Sequence, residues 1–206
     1  MKKIYILLLS LLANISFADM NIVSYQNTSF DLDNSNIDHS ADLLSYSFYN
    51  SSNKTAWAIG HASGEFEDGG VPTVDTEVTS FSYARYLADR TTEQATYIGA
   101  SLGLISLDTT SNSAYALQSD SIMYSILGGV QLTPEEGLGY FAEISLDILT
   151  YDDDVSNGVA LDTETDIGFS LGVSYALSNG VRFTAAIADS GDGTSTPTSI
   201  GIGYQF

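Results

Sequence analysis

The sequence predicts an all-β protein: an antiparallel, up-and-down transmembrane β-barrel of ten strands. Three observations predict it. Apolar and small residues alternate with a period of two, the large face lies opposite glycine and serine rather than opposite charge, and short connections alternate with longer ones. The chain has 206 residues, one domain's worth.

The alternation is clearest where Ile167, Phe169, Leu171, Val173, Tyr175 and Leu177 stand against Asp166, Gly168, Ser170, Gly172, Ser174 and Ala176. Ile122, Tyr124, Ile126, Gly128, Val130 and Leu132 repeat it, as do Tyr140, Ala142, Ile144, Leu146 and Ile148, with Glu143, Ser145 and Asp147 opposite. In a soluble sandwich the large face would point to a core and the other face would be charged. Small residues suit the crowded lumen of a narrow barrel, leaving the large face to lipid. A soluble β-sandwich is the competing reading of the pattern alone.

Short connections are expected near 50–55, 89–94, 133–137 and 177–180, and longer ones near 31–40, 68–77, 108–120, 151–164 and 189–197. Together they join ten strands. Alternation is poor over residues 21–32, so eight strands is the alternative. Strands of 9–11 residues would span the membrane.

Residues 1–18 read as a cleavable secretory signal: Lys2 and Lys3, an apolar run from Ile4 to Leu12, then Ser16-Phe17-Ala18. Residues 19–206 are then the barrel. The formal charge is −20, from 6 Lys+Arg and 26 Asp+Glu. Loss of Lys2 and Lys3 leaves Lys54, Arg85, Arg90 and Arg182. All four lie in or beside the short connections, and most acids lie in or beside the long ones. The balance excludes a phosphate-binding nucleic-acid partner, and the absence of cysteine excludes disulfides, thiolate metal sites and a cysteine nucleophile.

Aromatics gather near the short connections: Tyr46, Phe48, Tyr49, Trp57, Tyr83, Tyr86, Tyr97, Tyr140, Tyr175, Phe183, Tyr204 and Phe206. An interfacial girdle is expected there. Arg85 shares parity with Phe81 and Tyr83, so either a bulge shifts the face or Arg85 snorkels at the interface. Glu143 and Asp147, with Arg182 two strands later, are expected to face the lumen and form a polar network, as a structural plug or the lining of a narrow pore.

No catalytic constellation emerges. Asp152, Asp154 and Ser156 have the alternate spacing of an EF-hand loop, but Asn157 replaces its glycine and Thr163 its final glutamate. Asp152 and Asp154 are therefore candidates only for a weak, open Ca²⁺ or Mg²⁺ site, and no other cofactor is expected.

The signal sequence, the run of hairpins and the ending Ile200-Gly201-Ile202-Gly203-Tyr204-Gln205-Phe206 together resemble the small outer-membrane β-barrels of Gram-negative bacteria, in the style of the opacity-like and attachment/invasion-like proteins. The resemblance implies that Ile200, Ile202, Tyr204 and Phe206 form the signal read by the barrel-assembly machinery. It also implies outer-membrane localisation, outer-membrane lipid and lipopolysaccharide as partners, and a monomer. A non-catalytic surface or structural role through acidic loops is the expected function, and a small passive pore the alternative. His61-Ala62-Ser63 loosely resembles the His-x-Ser of lipid A deacylase barrels. Gly64 departs from that pattern and no orienting carboxylate is assignable, so a lipid-modifying enzyme is the lesser reading.

Overall fold

The computed structural model describes residues 19–31, 37–68, 71–109, 118–151, 163–189 and 196–206. The signal-like segment 1–18 and the candidate cation ligands Asp152 and Asp154 lie outside the described residues. Ten strands follow one another: β1 (Met20–Asp31), β2 (Ile37–Asn50), β3 (Thr55–Asp68), β4 (Val71–Tyr86), β5 (Ala95–Thr109), β6 (Gln118–Leu132), β7 (Gly137–Tyr151), β8 (Glu164–Ala176), β9 (Val181–Asp189) and β10 (Thr198–Gln205). Each pairs antiparallel with its chain neighbours, and β10 closes the ring on β1.

That closure decides for ten strands over eight. The weakly alternating segment is a full staff of the barrel, held from Ile22↔Gln205 to Ser29↔Thr198. Its pattern is poor because Asn27 and Ser29 follow Val23 and Tyr25 on the outer face, while Ile22 stands on the inner one.

The register fixes the barrel's dimensions. The row from Leu132 runs through Tyr140, Val173, Ala185, Ile200, Asn27, Asp42, Ser63, Glu77 and Ser106, and returns to β6 at Asp120, twelve residues from its start. With strands ~4.8 Å apart and a rise of ~3.3 Å per residue, a shear of twelve on ten strands tilts them by about 40°. The backbone radius is then about 10 Å, and each residue adds about 2.5 Å of height.

So narrow a ring dictates which face points inward. On β8 the exposed residues are Ile167, Phe169, Leu171, Val173 and Tyr175, and the buried ones are Gly168, Gly172 and Ala176. A Cβ on Gly172 would enter the Phe141 ring, and one on Gly129 would strike the Ala142 carbonyl. The large apolar face is thus on the outside, the reverse of a soluble core.

Four hairpin turns, 51–54, 87–94, 133–136 and 177–180, share the end of the barrel that holds both termini of the sheet. Gly137 (φ 96°) and Gly180 (φ 86°) supply left-handed backbone at two of them, and Lys54 (φ 54°) does so at a third. At the opposite end the expected long connection over 68–77 is largely strand: β3 and β4 run on until only residues 69–70 join them. Strands of 14 and 16 residues there exceed the 9–11 expected from membrane thickness. Glu65, Asp75 and Glu77 on these extensions show why, since acidic outer faces suit staves that project beyond the apolar belt. Arg85 sits on the outer face in an unbroken register, Thr55↔Arg85 and Arg85↔Ile98. The only register shift along β3–β4 falls between Phe66 and Glu67, so no bulge turns Arg85 to the other face.

Candidate functional site

The lumen narrows to a floor at the end that carries the hairpin turns. Arg90 comes from the β4–β5 turn and folds inward until only 6% of it is exposed. Its guanidinium lies 4.6 Å from the Tyr49 ring centroid and 5.1 Å from that of Tyr86. It donates to the Tyr86 hydroxyl at 2.9 Å and to Gln131 Oε1 at 3.2 Å, and the Tyr86 hydroxyl donates to the same Gln131 oxygen at 2.6 Å. Tyr97 packs against Tyr86 at 5.1 Å and donates to Glu143 Oε2 at 2.6 Å. These groups come from β2, β4, β5, β6 and β7, so the network spans half the circumference.

The turn that delivers Arg90 is itself braced. Asp89 Oδ1 accepts from the Thr91 N–H at 3.0 Å, the Thr91 hydroxyl at 2.7 Å and the Tyr49 hydroxyl at 3.2 Å. Burial opposes its charge, but these donors and the nearby Lys54 outweigh it and hold the Asp89 carboxyl below its usual range. The Arg90 carbonyl accepts from the Thr133 N–H at 2.7 Å, tying this turn to the next one.

Arg182 completes the other half of the floor. It is 3% exposed and donates to Ser174 Oγ on β8 at 3.0 Å, to the Pro134 carbonyl at 2.6 Å and to Gln205 Oε1 on β10 at 2.5 Å. The expected trio of Glu143, Asp147 and Arg182 all face the lumen, but the structure does not join them. Glu143 is held by Tyr97, Asp147 accepts from Ser145 Oγ at 2.7 Å, and Arg182 keeps the three partners just named. The reason is height. The row from Arg182 passes through Ala176 to Gly137, six residues along β7 from Glu143.

Fewer of the clustered aromatics face outward than the sequence suggests, and Phe48 among them is buried. Tyr46, Phe48, Trp57, Tyr83, Tyr140, Tyr175, Phe183, Tyr204 and Phe206 have outward parity, whereas Tyr49, Tyr86 and Tyr97 turn inward and are buried in the floor. His61 stands on the outer wall, Nδ1 3.1 Å from Thr79 Oγ1. Ser63 is the next outward residue along that strand.

Ile200, Ile202, Tyr204 and Phe206 line the outer face of the closing strand, all at least half exposed. Phe206 and Asn21 exchange backbone hydrogen bonds of 2.9 and 3.0 Å, fastening the seam below the last paired row. Deleting Phe206 is expected to lower the yield of assembled barrel in cells at least several-fold while leaving refolding in detergent nearly unchanged. Heat-modified gel migration of membrane fractions checks it, and equal losses in both settings would make the residue a stabiliser rather than a signal.

A closed single-sheet barrel with an apolar outer belt, a small-residue lumen and an aromatic rim defines the class: the chain folds as a small outer-membrane-type β-barrel. No family model matches the chain, and no curated protein does. Among solved structures it is similar to the β domain of the Bordetella autotransporter BrkA, with a TM-score of 0.54 and 13% identity over 90% of this chain and 98% of that one. It is also similar to the translocator domain of autotransporter NalP from Neisseria meningitidis, with a TM-score of 0.52 and 12% identity over 96% of this chain and 91% of that one. A KdgM porin aligns at a TM-score of 0.43 and 12% identity over 90% of this chain and 99% of that one.

Proposed function

We propose that this protein is a monomeric, integral barrel of the bacterial outer membrane whose periplasmic end is shut, and that it acts without catalysis at the cell surface. One observation carries the reading: Arg90, stacked on Tyr49 and Tyr86 and bonded to Gln131, is buried at the turn end of the lumen. Above that floor the inner wall mixes small residues such as Ser45, Gly60, Ser80, Ser101, Gly103 and Ser125 with larger ones such as Leu43, Met123 and Leu127, and on this reading the barrel is a cup rather than a tube.

Orientation follows from the turns. Tight hairpins belong on the periplasmic side and longer connections outside. The outward side chains at the far ends of β3–β6, including Glu65, Asp75, Glu77, Asp108 and Asp120, then form an acidic wall at the cell exterior. Such a wall suits contact with lipopolysaccharide phosphates through bridging divalent cations, or with external surfaces. The assembly machinery would read Ile200, Ile202, Tyr204 and Phe206 on the way in.

The small-residue lumen is also what a passive pore would need. Planar-bilayer recording separates the two readings. Purified wild-type protein is expected to give no discrete conductance steps, and regular steps would replace the cup with a channel.

A further inference from the structure

The floor holds two buried guanidiniums, and no carboxylate is among the described partners of Arg182. Arg90 and Arg182 line the same cavity of about 210 Å³, together with Ser24, Gln26, Ser45, Ser47, Gln131, Ser174 and Thr184. No carboxylate lines it among the described residues. Glu143 shares the adjoining cavity with Arg90 and accepts from Tyr97. Arg182 donates to a hydroxyl, a carbonyl and an amide oxygen, all neutral. Both Nε atoms are buried without a hydrogen-bond partner. A lysine so placed could shed its proton, but a guanidinium cannot. Buried charges are otherwise paired, and here the hydroxyl and amide groups around the cavity are suited to donate to an anion.

We infer that the Arg90–Arg182 cavity is a binding site for a small tetrahedral oxyanion such as phosphate or sulfate. The two guanidiniums supply charge, and Ser47 and Thr184 supply hydroxyl donors, while Ser45 is bonded to Ser24 at 2.7 Å. The site is reached through the cup. It goes beyond the closed-cup reading, since conductance and binding are read separately and either can fail alone.

Calorimetric titration of the refolded, detergent-solubilised protein with inorganic phosphate and with sulfate tests this. Wild type is expected to show saturable binding with a dissociation constant at or below the millimolar range. Arg182→Met should weaken it at least tenfold, and Lys54→Met, which alters an exposed rim cation, should leave it unchanged. Thr184→Val keeps both cations and should weaken binding several-fold, which carries the test if Arg182→Met does not fold. Non-saturable heats equal to those with chloride, or equal affinities for wild type and Thr184→Val together with Arg182→Met, would overturn the site.

A different observation concerns the outer wall. Half a circuit of the barrel shifts the register by six residues, so diametrically opposite residues at equal height can be paired off. Asn27 on β1 lies level with Ile126 on β6, Asp42 on β2 with Leu146 on β7, and His61 on β3 with Phe169 on β8. The first member of each pair is polar, and the second is an exposed apolar side chain. On β6 the outward run from Leu132 to Ile122 holds an apolar belt for about 25 Å, a full hydrocarbon span. On β2 it ends at Leu44 and on β3 at Ile59. A tilted barrel would raise both edges of the belt on one side, yet Leu132, Leu138, Tyr175 and Leu177 keep the lower edge of the β6–β8 wall apolar. The belt is therefore shorter on one side.

The polar groups of the short wall are already engaged with one another. Tyr25 Oη donates to Asp42 Oδ1 at 2.6 Å, Asn27 Nδ2 donates to the same oxygen at 3.0 Å, and His61 meets Thr79. Above them stand Glu65, Asp75 and Glu77, so a second copy would press carboxylates against carboxylates. We propose that the upper half of the β1–β3 wall contacts lipid headgroups and their water, in a locally thinned outer leaflet. This rests on residence in a bilayer.

The chain has no cysteine, so single nitroxide labels at Asn27→Cys, His61→Cys, Ile126→Cys and Phe169→Cys can be compared in dioleoylphosphatidylcholine vesicles. The first two are expected to collide mainly with an aqueous nickel chelate and the last two mainly with oxygen, with accessibility ratios at least fivefold apart. Equal oxygen-dominated ratios would overturn the thinned wall. So would labels at 27 and 61 shielded from both reagents in a cross-linkable dimer. Aqueous ratios at all four sites would overturn bilayer residence and this inference with it.

Discussion

Replacing Arg90 by alanine is expected to open the floor, giving discrete conductance steps in planar bilayers where wild type gives none. Arg90 lines both floor cavities, of about 250 and 210 Å³, together with Ser47, Gln131 and Phe141. Removing it also strips a cation from between two tyrosine rings and two charged hydrogen bonds from Tyr86 and Gln131. A desolvated cation–π contact contributes about 1–2 kcal/mol and a hydrogen bond to a charged group about 1.5–3 kcal/mol. These are not additive, and the loss relieves the repulsion of Arg182. A net destabilisation of roughly 2–4 kcal/mol is expected, read as a lower urea midpoint. Arg90→Lys keeps the charge but loses the flat face that stacks on Tyr49 and Tyr86, so it should open intermittently. Lys54→Ala removes an exposed cation from the same rim, where it donates to the Leu87 carbonyl and lies outside the lumen, and should stay silent. A folded Arg90→Ala barrel without conductance steps would end the plug account.

The wall of the barrel was legible in the sequence because lipid and a narrow lumen impose opposite demands on alternate residues. Phe169 and Gly172 differ in parity, and each is the kind of side chain its side can hold. The floor was much less legible. Tyr49, Tyr86 and Tyr97 lie at the same level as the girdle, and composition near a turn does not separate rim from lumen. Parity did hold the signal: Tyr49 is one residue out of phase with Phe48, Tyr86 is three from Tyr83, and Tyr97 shares its face with Gly99, Ser101 and Gly103. Arg90 lies in a turn, where alternation carries no information. Glu143 and Arg182 show the complementary limit. Alternation assigns both to the lumen, but height depends on the register around the ring, and the register sets them apart.

Gly129→Ala is expected to prevent closure of the barrel, although it adds a single methyl group. Gly129 faces the lumen on β6, paired with Tyr97 on one side and Glu143 on the other. A Cβ there would run into the Ala142 carbonyl oxygen and lie 3.0 Å from the Glu143 Cα. These are backbone atoms, so no change of rotamer relieves the clash. The alternative is to separate β6 from β7, which sacrifices ladder hydrogen bonds, and in a closed ring every strand is held on both sides. Overpacking costs about 1–3 kcal/mol where side chains can shift, and more than about 3 kcal/mol is expected where only the ladder can. Gly128 is the built-in control. It is the adjacent residue, on the opposite face, and its added Cβ would meet only the Tyr97 carbonyl oxygen, at 3.4 Å. Gly103→Ala would meet Met123 side-chain atoms at 3.5 and 3.6 Å, which is ordinary contact. Both should refold with midpoints within about 1 kcal/mol of wild type. Gel migration of boiled against unboiled samples reports the folded fraction, and urea unfolding reports the midpoint. Equal behaviour of Gly128→Ala and Gly129→Ala would mean that the inner face tolerates a methyl group where the register says it cannot, and the assignment of inside and outside on β6 would have to be abandoned.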